Sequence, residues 1–252
     1  MLLAPAALRA VVLRRGPSHK VCTIGWDLRD DTFTLGQWYR GRIYFEKCDI
    51  SPDGLHWIYF AFNGKRHEPT LGAYTALARA PYLKALGLWP LGSTWGGGGL
   101  FSQNGDYWPF HDAPMIAPPD APRLSSDFLH TEGWARGAHQ HARLARDGWR
   151  MVSRPADRAE PYIFVFERPL PAGWVLIRAC HLRHEEFALR HGPSGRLLPL
   201  PEWAWAELDR ERLVWSERGC LWAADIDATG PVRPTLLHDF NDMVAHRTRA
   251  PD

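Results

Sequence analysis

The sequence predicts an all-β fold of antiparallel hairpins, and three observations support this. The 252 residues include 13 Trp and 11 Phe, whose large flat side chains pack well on the pleated faces of strands. With 21 Pro and 22 Gly, the chain favours many short connections over long helices. At residues 48–62 a strand is predicted to end at Ile50 and a second to begin at His56, because Pro52 fixes φ and Gly54 accepts a positive φ in the turn between them.

This hairpin pattern recurs along the chain. SPDGLHW (51–57) aligns with SQNGDYW (102–108), and related turns occur in ARDGWRMV (145–152) and GPSGRLLPL (192–200). The turn glycines at 54, 105, 148 and 195 are 43 to 51 residues apart, and blades of four strands repeat at roughly 40–50 residues. We therefore predict a small β-propeller, or a propeller-like array of four to five antiparallel blades. A β-sandwich with unrelated hairpins is the alternative.

The predicted elements follow the β-rich runs in order. Pro81 argues that residues 74–89 form two strands and not one broken helix. A last strand at 233–240 is expected to close the ring beside the N-terminal strands. The other strands are predicted at 9–15, 21–28, 33–39, 42–50 and 56–62, as a hairpin at 161–182 and as three strands within 202–226, with one helix at 135–146.

We predict a single propeller-like domain over residues 1–252. Apolar residues make up 45% of the chain and charged residues 23%, which is typical of globular domains. Residues 111–133 contain four prolines and little apolar periodicity, so they are predicted to be a surface loop or linker.

Charge and cysteine content indicate which partners and which cellular compartment to expect. The net charge is only +2, with acidic and basic residues interleaved, which argues against a nucleic-acid partner. The cysteines Cys22, Cys48, Cys180 and Cys220 form no C-x-x-C pair, and three of them lie in apolar runs typical of reduced core thiols. The N-terminal apolar stretch lacks the basic start of a signal peptide, and it is too short to span a bilayer. We expect a cytoplasmic protein with no membrane contact.

Two segments carry a family resemblance. SPDG with the apolar strand after it (51–60), and ELDRERLVWSERGCLWAADI (207–226), resemble blades of the TolB-like and WD40-like β-propellers. Trp26-Asp27 is the only Trp-Asp dipeptide, and it lacks the upstream Gly-His of WD40 repeats. The whole chain is also similar to uncharacterised bacterial proteins of this length. The resemblance implies a binding scaffold more often than an enzyme.

The glycine-rich run is the first candidate site. Four consecutive residues without Cβ allow a backbone to approach a ligand or another strand closely, and successive amides can bind an anion. No G-K-[ST] follows, so a nucleotide-binding Walker loop is excluded. The alternative is a tightly packed strand crossing. The candidate ligand- or partner-binding residues here are Ser93, Thr94, Trp95, Gly96, Gly97 and Gly98.

Aromatic and basic residues alternate in GQWYRGRIYF (36–45). On a continuous strand, Trp38, Arg40 and Arg42 share one face and can stack on bases or sugars. Aromatic packing between blades explains the same pattern.

Metal and catalytic motifs are incomplete. His139 and His141 share a face if the chain is extended, and residues 180–185 contain Cys, His and Glu side chains. The zincin spacing fails after His184 because Ala188 stands where the second His is needed. We therefore predict no metal and no cofactor, with solvated or hydrogen-bonded histidines. Candidate carboxylates for hydrolytic chemistry are Asp27, Asp49, Asp106, Glu167 and Glu207.

The sequence thus favours a non-enzymatic, intracellular scaffold or accessory subunit that binds a protein partner. The binding loops are expected at 63–73, 92–99 and 111–133, held by the strands beneath them. A hydrolase or lyase with a central pocket of carboxylates and histidines, or another small-molecule site, is the alternative.

Overall fold

The computed structural model describes residues 1–16, 18–110, 116, 138–155, 163–181, 184–246 and 248–251. Its one α-helix within these residues is α1, Ala138–Arg146. The strands are β1 Leu2–Leu3, β2 Arg9–Arg15, β3 Lys20–Asp27, β4 Thr32–Arg40, β5 Arg42–Ile43, β6 Asp49–Ile50, β7 His56–Phe62, β8 Ala73–Arg79, β9 Ala85–Pro90, β10 Gly99–Phe101, β11 Tyr107–Pro109, β12 Arg150–Ser153, β13 Phe164–Pro169, β14 Trp174–Cys180, β15 Glu185–His191, β16 Leu197–Pro199, β17 Trp203–Asp209, β18 Arg212–Glu217, β19 Cys220–Asp227 and β20 Gly230–Asp239.

The strands form sheets in chain order. The sheets are β1–β4, β5–β9, β12–β16 and β17–β20, with β10 and β11 as a separate hairpin, and all the pairings are antiparallel. Within the second sheet β5 and β6 both pair with β7. These are four antiparallel blades of the β-propeller class, built as successive meanders, and the predicted all-β fold class is confirmed.

The chain divides into two compact units, the first comprising Met1–Arg143 and Val244–Asp252. Its central strand β7 is buried on both faces because apolar residues occupy every position from Trp57 to Ala61. Because side chains alternate along a strand, Trp57 and Tyr59 lie in one apolar cluster. Ile58 lies in a second cluster on the other face, together with Trp89 and Phe101. Strand β7 therefore holds the core of this unit together.

The second unit, Leu144–Met243, has its own tryptophan-rich core. Trp203 and Trp215 stack with their ring centroids 4.7 Å apart, and Trp174 is fully buried. The guanidinium of Arg178 is also buried, and it donates to both carboxylate oxygens of Glu185 at 2.7 and 2.8 Å. A buried charge requires such a paired partner.

Three of the four recurring turns are hairpins. Gly54 closes the turn before β7, Gly105 joins β10 to β11, and Gly195 joins β15 to β16, all with positive φ. The prediction at Gly148 is wrong, because this glycine ends helix α1. Its amide donates to the carbonyl of Ala145, and the next amide, of Trp149, donates to the carbonyl of Leu144. This is the Schellman arrangement, in which a left-handed residue ends a helix.

Two further predictions need correction. The strand predicted at 42–50 is broken by a 3₁₀ turn, Phe45–Lys47, between β5 and β6. Strand β20 does not pair beside the N-terminal strands, since its hydrogen-bonded neighbour is β19 and β1 pairs with β2. Residues 74–89 form two strands, β8 and β9, as Pro81 indicated.

The predicted Pro-rich loop or linker at 111–133 lies outside the described residues, apart from Ile116. The backbone of Ile116 forms a β-bridge with Leu88. None of the helical segments in the described ranges has the length and apolar character needed to cross a lipid bilayer.

Candidate partner-binding surface

The predicted glycine site forms the connection between β9 and β10, residues 91–98, which we call the glycine-rich loop. At its start, the amides of Leu91 and Gly92 both donate to the carbonyl of Ala73, at 2.8 and 3.1 Å. At its end, the amide of Gly98 donates to Thr75 Oγ1 at 2.8 Å. Both ends of the loop are therefore fixed to strand β8.

The last glycines allow close packing that no other residue permits. Gly97 and Gly98 have φ of +78° and +98° and are buried. A Cβ on Gly97 would overlap the ring of Phe60, and one on Gly98 would lie 2.5 Å from the carbonyl oxygen of Lys47. Gly98 also donates its amide to Thr75. These contacts support the tightly packed crossing considered from the sequence over an anion-binding loop.

Lys47 supports the loop from inside the fold. Its Nζ donates to the carbonyls of Thr94 and Gly96, each at 2.7 Å, on either side of Trp95. The same ammonium lies 4.7 Å from the ring centroid of Phe60, a favourable cation–π distance. Burial lowers the pKa of Lys47 from its ordinary value. Lys47 is not among the residues predicted from the sequence, because its acceptors in Thr94 and Gly96 lie 47 and 49 positions away in the chain and no local pattern marks them.

Trp95 is the exposed tip of the loop. Trp95 is 82% exposed, whereas Trp57, Trp89 and Trp174 are at most 1% exposed. The amide of Trp95 donates to Ser93 Oγ at 3.2 Å. Leu71 of the preceding loop is 47% exposed and lies beside Gly92. Two of the loops predicted to bind a partner, 63–73 and 92–99, are thus adjacent and present apolar side chains.

The other predicted group, Trp38, Arg40 and Arg42, does not share one strand. Gly41 has a φ of +147° and ends β4, so that Arg42 belongs to the next sheet. Trp38 packs on the guanidinium of Arg14, 5.8 Å from the ring centroid, and Arg40 is exposed at the end of β4. Arg42 lies over the Tyr44 ring at 4.5 Å. Trp38 and Arg40, two residues apart on β4, still share a face, but Arg42 does not join them.

Lys47 Nζ is 5.8 Å from that same Tyr44 ring. Arg42 and Lys47, which holds the glycine-rich loop, therefore both contact the Tyr44 ring.

The predicted common face of His139 and His141 is also absent, because both lie on α1, where residues two positions apart point about 200° apart around the axis. His139 packs against Phe110, with ring centroids 3.6 Å apart. Burial, with help from the nearby charges of Lys47 and Arg143, lowers the pKa of His139 to about 3. Burial lowers the pKa of His141 to about 4. Both side chains therefore serve the fold as neutral groups.

Four of the candidate carboxylates are engaged by neighbours. Asp27 accepts from Arg29, and Asp49 accepts the backbone amides of Ile50 and Phe101. In the second unit, Glu167 pairs with Arg150 and Arg190. Glu207 accepts from Trp149 Nε1 at 2.9 Å and pairs with Arg168. These bonds give each carboxylate a structural role.

Comparison with known proteins gives short or distant matches. No family model matches the chain. Aspartate/glutamate leucyltransferases from the AYE, SDF and ACICU strains of Acinetobacter baumannii are 39% identical over 59 residues, 23% of this chain. The chain spans 22% of the length of these curated relatives.

Among solved structures, the β-propeller domain of the Trilobed protease from Pyrococcus furiosus, described as having an open velcro topology, aligns over 93% of this chain and 95% of its own. The TM-score is 0.33 at 9% identity, so the similarity does not by itself establish a shared fold.

Proposed function

We propose that this protein is a non-enzymatic, intracellular scaffold or accessory subunit that binds a protein partner through Trp95. In this proposal, residues 1–252 form one propeller-like domain. The supporting observation is an 82% exposed indole on a loop whose neighbouring carbonyls are both held by Lys47. The partner supplies an apolar pocket for the indole, and Leu71 contributes adjoining apolar contact.

A fixed loop is suited to binding because association must overcome the loss of side-chain and loop freedom. The amides of Leu91, Gly92 and Gly98 and the ammonium of Lys47 already order the loop. Tryptophan is enriched among residues that dominate binding energy, since its ring buries roughly 150–250 Å². The glycine-rich loop thus joins a strong anchor residue to a rigid support.

The hydrolase or lyase alternative has less support. Catalytic acids and bases need positions that a substrate can reach and pKa values matched to their task. Asp49 instead bonds two backbone amides, and Glu207 is bonded to Trp149 and Arg168. These carboxylates fit structural roles better than catalytic ones.

The test places a photo-crosslinking amino acid at position 95 in one variant and at Leu197, which is 55% exposed in the second unit, in a control variant. Mass spectrometry identifies any protein crosslinked from position 95 only, and that protein is then purified. Its affinity is measured by calorimetry for the wild type, Trp95→Ala and Leu197→Ala. Truncating a hot-spot residue costs about 2 kcal/mol or more of binding free energy. We therefore expect Trp95→Ala to bind at least roughly 30-fold more weakly than the wild type. Equal affinity of wild type and Trp95→Ala contradicts the proposal.

A further inference from the structure

The hairpin of β14 and β15 places three potential metal ligands on one face. The amide of His181 donates to the carbonyl of His184 at 3.0 Å, which closes the turn. Residues paired across antiparallel strands share a face, and so do residues two apart. Glu186 is two residues beyond His184 and pairs with Ala179, two residues before His181. His181, His184 and Glu186 therefore project from the same side of the hairpin.

The sequence suggested Cys180 and Glu185 as ligands beside His181 and His184, but strand alternation places these two residues on the other face of the hairpin. Cys180 pairs with Glu185 on the opposite face. There Glu185 accepts both hydrogen bonds of the buried Arg178. Cys180 is buried, and its thiol lies 4.0 Å from Glu185 Oε1. Cys180 and Glu185 thus belong to the interior, and the ligand set on the outer face is two imidazoles and one carboxylate.

The ligand atoms already converge. His181 Nε2 lies 3.4 Å from one oxygen of Glu186, and His184 Nε2 lies 3.2 Å from the other. The imidazole rings are nearly parallel, 11° apart in plane with centroids at 4.2 Å. One ligand atom from each residue lies within 4.8 Å of the others. A tetrahedral ion with bonds of about 2.0–2.1 Å has ligand atoms roughly 3.4 Å apart, which is close to both nitrogen–oxygen separations.

We propose that His181, His184 and Glu186 bind a divalent transition-metal ion of the Zn²⁺ class. Two imidazole nitrogens and one carboxylate are ligands that such ions accept, whereas Mg²⁺ and Ca²⁺ prefer all-oxygen sites. His181 Nε2 is shielded from solvent and already faces the Glu186 carboxylate at 3.4 Å, so an ion bound between the two groups would replace a long contact with two short bonds.

Glu186 lies on strand β15, whereas His181 and His184 flank the turn between β14 and β15, and the site is open on one side. The His181 side chain is 19% exposed, whereas His184 and Glu186 are 59% and 61% exposed. Three protein ligands leave at least one tetrahedral position for water or for a group from another molecule. Ala179, directly across from Glu186, is small and leaves space beside the carboxylate.

The experiment titrates the purified, chelator-treated 252-residue chain with Co²⁺, and follows the visible absorption of the bound ion and the heat of binding. We expect one equivalent to bind, with Zn²⁺ displacing Co²⁺ and excess Mg²⁺ having no effect. Losing even an outer-shell partner of a ligand typically weakens metal binding about 10–100-fold. His184→Ala and Glu186→Gln should therefore weaken binding by at least roughly that factor.

His191→Ala is the matched control. His191 lies on the same strand β15, but its Nδ1 is bonded to Ser194 Oγ at 2.7 Å, so this variant should bind Co²⁺ like the wild type. Because His184 and Glu186 are largely exposed, their variants should fold, and circular dichroism verifies this. Binding of Co²⁺ that is equally strong in wild type and in the His181→Ala/His184→Ala double variant, or no binding at all, would overturn the proposal.

Discussion

The Nζ atom of Lys47 lies 2.7 Å from the carbonyl oxygen of Gly96, so that a lysine side chain fixes the loop that presents Trp95. The ammonium satisfies a second carbonyl, that of Thr94, at the same distance. A half-buried cation is stable here because it has two acceptors and an aromatic ring beside it. The order of the exposed loop thus depends on a residue inside the fold.

Replacing Lys47 by Met should release the loop. The substitution keeps an unbranched side chain but removes both hydrogen bonds, and a bond to a charged group contributes roughly 1.5–3 kcal/mol. Hydrogen exchange should show faster exchange at the amides of residues 93–96, with a modest fall in the free energy of unfolding. Lys65→Met is the control, because Lys65 forms an exposed pair with Glu68. Unchanged exchange in Lys47→Met would show that the loop is held by its ends alone.

Gly97→Ala should destabilise the protein more than Gly105→Ala. Both glycines have positive φ, +78° and +89°, so both variants carry a similar backbone strain of roughly 1–2 kcal/mol. At Gly97 the new Cβ overlaps the buried ring of Phe60. At Gly105 no atom lies within 4 Å of the new Cβ. Overpacking adds about 1–3 kcal/mol, measurable by urea denaturation. Equal losses in the two variants would contradict a steric requirement at Gly97.

Trp95→Ala should leave stability almost unchanged, within about 0.5 kcal/mol, as is usual for exposed positions. Trp89→Ala is the contrasting variant, since Trp89 is fully buried and truncating such a ring costs about 3–5 kcal/mol. Denaturant midpoints for both variants test this difference. A large loss in Trp95→Ala would mean that the indole is a structural element and not a binding one.

Stability should fall as the pH is lowered from 7 to 5. His139 and His141 have folded-state pKa values of about 3 and about 4, below the ordinary value of 6.5. Between the folded-state pKa values and 6.5, the unfolded chain therefore binds more protons than the folded protein. Protonation then favours unfolding as the pH drops below 6.5. Carboxylates remain ionised above pH 5, so the histidines dominate this window.

The matched variant is His139→Leu, which cannot be protonated at this position. Thermal melts at pH 7, 6 and 5 should show a smaller pH dependence for His139→Leu than for the wild type. Parallel curves for the two proteins would show that His139 is accessible to protons in the folded state.

The strands were predictable from residues alone because their pattern is local. The boundaries of β2 and β7 match the predicted ranges 9–15 and 56–62, where apolar and aromatic runs end in clear turn residues. Pro81 correctly separated β8 from β9, since proline is not accommodated within a helix.

The failures have two physical causes: one local conformation serves several structures, and some contacts join residues far apart in the chain. Gly148 has the left-handed φ expected of a hairpin glycine, but the same φ ends a helix. The break at Gly41 depends on a close approach to the backbone of Phe62, twenty-one positions away in the chain. No local pattern reports such a contact, and the role of Lys47 beneath the glycine-rich loop was missed for the same reason.

The anchoring of the glycine-rich loop divides it into a part that tolerates change and a part that does not. Gly97 and Gly98 are buried against strand β7 and the 3₁₀ turn, whereas Ser93, Thr94 and Trp95 lie at the outer end of the loop, where Lys47 holds two carbonyls. A library randomised at these three positions would therefore alter the proposed binding surface while the blade beneath keeps its shape. The same blade could carry new specificities, much as an antibody framework carries exchangeable loops.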